Sequence, residues 1–247
     1  MKKVTLIFPG QGSQYVGMAK NLTNIKESND ILQKANSAVD MDLTGLMFEG
    51  PEEELKLTQN TQPAIVTHSI ALFNHLQQIL KKEGFEIEQV LGHSVGEYSA
   101  LVAAEVLSIE DALKAVKNRG LFMQEAAPSG VGSMYAILRV PGELVSKACS
   151  IVSSEDNLVN AANFNEPTQT VISGQVEACK KVIAWLEENF DGRMRAIELK
   201  ISAPFHSQLM KPAEKKLAEF LKTLTLKENT IHYIACLLYT SPSPRDS

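Results

Sequence analysis

Cysteine is scarce in this 247-residue chain. The three present, Cys149, Cys179 and Cys236, show no paired spacing and no histidine cluster beside them, which argues against a disulfide scaffold or a thiolate metal site. Two of them fall in predicted helices and read as reduced, buried thiols. Long apolar runs are missing too. Lys2-Lys3 precede only the short run Val4 to Phe8, too little for the apolar core of a signal peptide, and no other stretch is long and apolar enough to span a bilayer. There is no excess of basic charge: 24 Lys and Arg against 29 Asp and Glu leave a net charge of −5, without the electrostatic footprint of a nucleic-acid binder. The expectation is a cytoplasmic protein that engages neither membrane nor nucleic acid. An acidic protein partner would have to meet a local basic patch. With 44% hydrophobic residues, the chain has enough length for a real core, in one main domain with a smaller inserted or appended one.

What the sequence does have is Val90-Leu-Gly-His-Ser-Val-Gly-Glu97, an apolar run that ends on Gly-x-Ser-x-Gly and passes into the helix-forming stretch Tyr98 to Glu105. Strand, sharp turn and helix in that order are what a nucleophile elbow needs. Gly92 and Gly96 would let strand and helix backbones pass close together and leave the Ser94 hydroxyl exposed on the turn. At a helix N-terminus, Ser94 would sit where free N–H groups and the dipole favour developing negative charge. Set against this is the plain reading of a turn serine between glycines; the flanking strand and helix patterns favour the elbow.

Several other features bear on chemistry. Val4 to Phe8 reads as a buried strand closed by Pro9-Gly10. The following Gly10-Gln-Gly-Ser-Gln14 is either a simple strand-to-helix loop or a source of backbone N–H groups for half an oxyanion hole. It lacks the Lys-Ser ending of a phosphate cradle. Residues 24–60 read as mostly helical, and Thr61-Gln62-Pro63 opens a long helix with Ile65, Val66, Ile70, Phe73, Leu76, Ile79 and Leu80 on one stripe. His68 and His75 on that helix lack carboxylate or cysteine neighbours at ligand spacing and read as packing or surface histidines, so no metal site is expected. Ser108-Ile-Glu-Asp111 is a capping box for a helix running to about Gln124. On it, Ala112, Ala115, Val116 and Met123 surround Arg119. The arginine either packs its stem and extends its head to water or aims its guanidinium into a pocket to grip an anion; periodicity leaves both open.

Residues 134–200 have their own rhythm. Met134 to Val140 reads as a strand, Pro141 starts a helix, Leu158 to Ala162 and Gln169 to Ser173 are strands joined across Asn165-Glu-Pro167, Gln175 to Asn189 is a helix, and Met194 to Leu199 a last strand. That βαββαβ order is the ferredoxin-like unit. After it comes Ala203-Pro-Phe-His206-Ser, then a helix with Leu217, Phe220, Leu221 and Leu224 on its buried side. A serine nucleophile needs a base downstream, and His206 on this proline-marked loop is favoured over His93, which adjoins Ser94 but points away, and over His232, in a predicted strand.

Taken together, Phe8-Pro-Gly-Gln-Gly-Ser-Gln14, Thr61-Gln-Pro63, Gly92-His-Ser-Val-Gly-Glu97, Arg119-Gly120, Met123-Gln-Glu125, Val171-Ile-Ser-Gly174 and Ala203-Pro-Phe-His-Ser207 resemble, in the same order, the discrete bacterial malonyl-CoA:acyl-carrier-protein transacylase family. The resemblance spans residues 1 to about 235. It implies an α/β fold: a large α/β-hydrolase-like domain with a parallel sheet (1–131 and 200–235) carrying an inserted ferredoxin-like subdomain (132–199). It implies Ser94 as the acylated nucleophile, His206 as general base, the N–H groups of Gln11 and Val95 as the oxyanion hole, and Arg119 as partner of the malonyl carboxylate. Gln62, Met123 and Phe205 take substrate-binding places, with Phe205 the residue that malonyl-selective members carry. The activity implied is ping-pong transfer of malonyl from malonyl-CoA to the phosphopantetheine thiol of acyl carrier protein, in fatty-acid elongation, by a monomer with no bound cofactor.

One departure is plain. The family continues past Tyr233-Ile-Ala235 with an asparagine, further strand and loop, and a closing helix, and that segment contributes the group orienting the catalytic histidine's second nitrogen. Here residues 236–247 read as a foreign-looking tail with Ser241-Pro242 and Ser243-Pro244, and the expectation is a chain shortened relative to the family. Rival readings are a serine esterase or thioesterase on a similar elbow, and a catalytically incomplete carrier-docking module.

Overall fold

The structure, a computed structural model, describes residues 2–128, 130–199 and 203–236. The expected tail, apart from Cys236, lies outside the described residues. In chain order the elements begin with β1 (Lys2–Phe8), α1 (Lys26–Val39), α2 (Leu43–Glu49), α3 (Glu52–Leu55), α4 (Thr58–Lys82), β2 (Phe85–Gly92), α5 (Gly96–Ala103) and α6 (Ile109–Ala126). They continue with β3 (Gly132–Leu138), α7 (Gly142–Val152), β4 (Val159–Glu166), β5 (Gln169–Gln175), α8 (Val176–Asn189), β6 (Arg195–Glu198), α9 (Lys211–Leu221) and β7 (His232–Ile234). The chain divides into two compact units, Met1–Gly120 with Glu219–Ser247, and Leu121–Ala218.

The first unit is built on a parallel sheet in the order β1-β2-β7. Phe8 pairs with Gly92, so β1 and β2 finish side by side and the loops leaving them start together. In open parallel sheets that end is where sites form. β7 is fixed beside β2 with Tyr233 against Val90. The segment leading to β7 is tied to the α5–α6 connection by Lys227 N–H donating to Val106 (3.0 Å) and Thr230 N–H to Ala104 (2.9 Å). The core gathers Phe8, Ile65, Val66, Ile70, Phe73, Val90, Val95, Leu113 and Val116 with the buried faces of α1 and α2. The buried Ser28 hydroxyl bonds the Ala71 carbonyl at 2.7 Å, joining α1 to α4.

Two expectations about this unit need correcting. β1 is not buried: it is an edge strand among the described residues, and Ile7 is 70% exposed. Its apolar composition describes one packed face, which Phe8 occupies, and not two. α4 also starts a turn before Thr61, at Thr58, which leaves Pro63 inside the helix. The first turn closes on Leu57, whose carbonyl accepts from Asn60 and Thr61 N–H at 2.8 Å each, while Thr61 Oγ1 bonds the Leu55 carbonyl. Pro63 therefore removes one interior bond, to Gln59, rather than filling an empty first position.

The second unit is centred on an antiparallel sheet in the order β4-β5-β3-β6. With α7 and α8 packed on it, this is the ferredoxin-like βαββαβ arrangement read from the sequence. Its core includes Ile137, Val140, Val145, Ile172, Val182 and Leu186, with Cys149 and Cys179 among them. Burial pushes those thiols up, to about 12 and about 11. β4 runs to Glu166, well past the Ala162 expected. Register irregularities between Ala161 and Asn163 and between Phe164 and Glu166 break the two-residue alternation that marks a strand in sequence. Leu217, Phe220, Leu221 and Leu224, expected on a buried face, are only half-buried.

Candidate functional site

The turn between β2 and α5 is three residues long, and two glycines make it possible. A Cβ on Gly92 would lie 2.0 Å from the Gly96 carbonyl carbon, and one on Gly96 would lie 2.4 Å from the Phe8 carbonyl oxygen. No side chain fits in either gap. Within the turn Ser94 takes φ 52°, in the left-handed region that a non-glycine residue enters at a cost of about 1–2 kcal/mol. The turn is held by His93 N–H donating to Phe8 (3.0 Å), Gly96 N–H to His93 (2.9 Å) and Glu97 N–H to Ser94 (3.1 Å). His93 itself is exposed and its ring lies against Gly10.

The Val95 N–H, next in line after Ser94, has no acceptor among the described residues, and neither has the Gln11 N–H on the loop leaving β1. Two such donors at the shared ends of two parallel strands suit an oxygen that acquires negative charge. The Gln11 side chain is held by its amide, which donates to Thr58 Oγ1 at 3.3 Å. Gln62 is buried one turn further along α4, at 1% exposure.

α6 brings the cation. Ser108 Oγ accepts from Asp111 N–H at 3.0 Å and starts the helix as expected. Ala112, Ala115 and Val116 face the core, and Gly120 presses on the first turn of α4, where a Cβ would come within 2.6 Å of Gln59 Cα. This close crossing, not periodicity, decides where Arg119 goes. Its Nη2 donates to Ser94 Oγ at 3.0 Å. Burial pushes the Arg119 pKa down, while Tyr98, Glu97 and Cys236 act to hold it up. No Asp or Glu among the described residues forms an ion pair with it.

The second unit carries His206, Phe205 and Met123. His206 also takes a left-handed backbone, φ 57°, on a loop tightened by Phe205 N–H to Ala203 (2.9 Å) and Ser207 Oγ to Pro204 (2.7 Å). Phe205 and Met123 belong to one buried cluster with Met134, Val171 and Met210. Asn160 of β4 donates its side-chain amide to the His206 carbonyl at 2.9 Å, which fixes the loop at the histidine. Sequence reading passed over Asn160, although an asparagine within a strand is unusual enough to mark. It also missed the contact between Tyr233 and Glu97, whose carboxylate accepts from the Tyr233 hydroxyl. Among the described residues no group of three or more His, Cys, Asp or Glu could hold a metal ion.

Compared with known proteins, the sequence matches the acyl transferase domain family over residues 5–247. The chain belongs to that family. It is an acyltransferase, with the α/β-hydrolase-like and ferredoxin-like architecture expected from its sequence. It is 43% identical over 236 residues to a malonyl CoA-acyl carrier protein transacylase of Bacillus subtilis (strain 168), covering 95% of this chain and 73% of the relative. Among solved structures, an acyl-carrier-protein S-malonyltransferase from Burkholderia pseudomallei 1710b shares 40% identity at TM-score 0.86, covering 95% of this chain and 74% of that one. A malonyl-transacylase solved in complex with its type II PKS acyl-carrier protein shares 36% identity at TM-score 0.85, covering 95% and 74%. Within the acyl transferases, the chain is therefore grouped with the malonyl-CoA:acyl-carrier-protein transacylases. Among the described residues no helix of this acyltransferase is long and apolar enough to cross a membrane.

Proposed function

We propose that the chain transfers a malonyl group from malonyl-CoA to the phosphopantetheine thiol of an acyl carrier protein, through an ester on Ser94. The observation that carries this is the 3.0 Å contact between the Arg119 guanidinium and Ser94 Oγ. In a malonyl ester the free carboxylate is one methylene from the acyl carbon. A guanidinium within hydrogen-bond reach of the nucleophilic oxygen is thus within reach of that carboxylate too. An uncharged acyl group would offer the guanidinium no such partner.

In the loading half, His206 takes the Ser94 proton as Oγ attacks the thioester carbonyl. The tetrahedral oxyanion is received by the Gln11 and Val95 N–H groups; a single donor of this kind is worth about 2.7–4 kcal/mol to the transition state. As the C–S bond breaks, His206 returns the proton to the CoA sulfur. In the unloading half the carrier thiol gives its proton to His206 and attacks the ester, and Ser94 leaves with that proton. Atoms and charges balance without a further reactant. In this reading Arg119 pairs with the malonyl carboxylate throughout, and Gln62, Met123 and Phe205 are substrate-binding residues. The chain works as a cytoplasmic monomer without bound cofactor, and its net charge of −5 supports no role with nucleic acid.

Intact-mass measurement after incubation with malonyl-CoA tests the reading. The expected result is one malonyl increment that disappears when holo carrier protein is added and is absent from Ser94→Ala. Hydrolysis outpacing transfer to the carrier would instead make the chain a thioesterase.

A further inference from the structure

Arg119 and Glu97 make an odd pair of neighbours. Glu97 lies in the first turn of α5, three residues after Ser94, whose carbonyl accepts its N–H at 3.1 Å, while the Arg119 guanidinium donates to the Ser94 hydroxyl at 3.0 Å. The two nevertheless form no ion pair. An arginine and a glutamate that both contact one serine on a rigid scaffold would be expected to join in a two-bond fork. Glu97 has another partner. The Glu97 carboxylate accepts a hydrogen bond from the Tyr233 hydroxyl. Tyr233 is itself held by the pairing of β7 with β2, and β7 by the Lys227 and Thr230 anchors.

We propose that Tyr233 restrains the Glu97 carboxylate so that the Arg119 fork stays open for the carboxylate of the acyl substrate, which makes Tyr233 and Glu97 a positioning pair that sets selectivity for malonyl over uncharged acyl groups. This rests on the reading that Arg119 binds the malonyl carboxylate. An internal carboxylate free to reach Arg119 would be tethered at a high effective concentration and would compete with every incoming malonyl group. A neutral residue at 97 would avoid the competition but leave a half-buried cation with less compensation. A carboxylate near Arg119 yet tied to a tyrosine meets both demands.

Three variants test it: Tyr233→Phe, Glu97→Gln, and the two combined. The readout is kcat and KM for Ser94 loading with malonyl-CoA and, separately, acetyl-CoA. Tyr233→Phe frees Glu97 and should raise KM for malonyl-CoA about tenfold, the effect of one competing charge-assisted contact. Acetyl loading should be little changed, which also shows that the variant is folded. Adding Glu97→Gln to Tyr233→Phe removes the competitor and should recover malonyl loading. Equal losses with both substrates, or no recovery in the double variant, would overturn the proposal in favour of a purely structural hydrogen bond. Calorimetric binding of malonyl-CoA and acetyl-CoA to the same variants reads the same pattern without chemistry. An absence of any Ser94 adduct on the unaltered chain would sink the proposed transfer reaction, while the binding pattern would still decide the role of Tyr233.

Discussion

Arg119→Ala separates a carboxylate clamp from a packing residue. The guanidinium donates from Nη2 to Ser94 Oγ at 3.0 Å, and in the proposed reaction it also holds the substrate carboxylate. Losing a bond to the neutral hydroxyl removes about 1 kcal/mol, or roughly fivefold in rate, from loading with any acyl-CoA. Losing the bond to a carboxylate removes a further 1.5–3 kcal/mol or so, and only malonyl presents one. The ratio of kcat/KM for malonyl-CoA to that for acetyl-CoA cancels the shared loss and isolates the carboxylate. That ratio should fall by about ten- to a hundredfold, toward the lower figure because Arg119 is only half-buried. Arg119→Lys keeps the charge without the fork and should fall between. Competition for Ser94 between the two thioesters, followed by intact mass, measures the ratio directly. The fold should hold, since alanine is the better helix former at that position of α6. A ratio that does not move while both rates drop together would show that Arg119 only supports the elbow, and the argument from the 3.0 Å contact would fail.

Three other outcomes follow from the geometry. Ser94→Gly and Ser94→Ala should both lack the malonyl adduct, but the glycine variant should be the more stable by about 1 kcal/mol, because only alanine retains the left-handed strain; chemical denaturation compares them. Asn160→Ala removes the bond to the His206 carbonyl and should slow loading roughly fivefold, while lowering the thermal midpoint by only about 2–4 °C; unchanged loading would separate the loop from the chemistry. Cys149 and Cys179, with thiols raised to about 12 and about 11, should resist iodoacetamide at pH 8 until denaturant is added, as peptide mass mapping would show; their contribution to stability is complete below pH 9, the value usual for a free thiol, and fades as pH rises toward those figures.

What was legible in the sequence was whatever local pattern determines. Ser94 could be read because a strand, two glycines and a helix around it leave a hydroxyl one place to go. The βαββαβ unit could be read because its elements alternate in period. Arg119 could not be resolved by the same means: helical spacing shows which face it shares, but its direction depends on how closely Gly120 lets α6 approach Gln59. β4 was cut short because its irregular register hides the alternation of a strand. Tyr233 was invisible as a partner of Glu97, since the two are brought together only by a parallel pairing across the sheet. Contacts of that kind are properties of topology, and no window along the chain contains them.

Ser94 and His206 share a left-handed backbone, and this has a consequence for descent. At most positions a residue released from selection drifts toward whatever neighbours tolerate. In the proposed reaction these two carry the chemistry, and stability would still filter their replacements once that role had ceased, admitting glycine, asparagine and aspartate most readily and resisting valine, isoleucine and threonine. A duplicate of this gene that lost its activity but kept its fold would therefore carry a recognisable scar, with small or amide-bearing residues at both places. Such a pair would mark a retired acyltransferase more reliably than the loss of the serine alone.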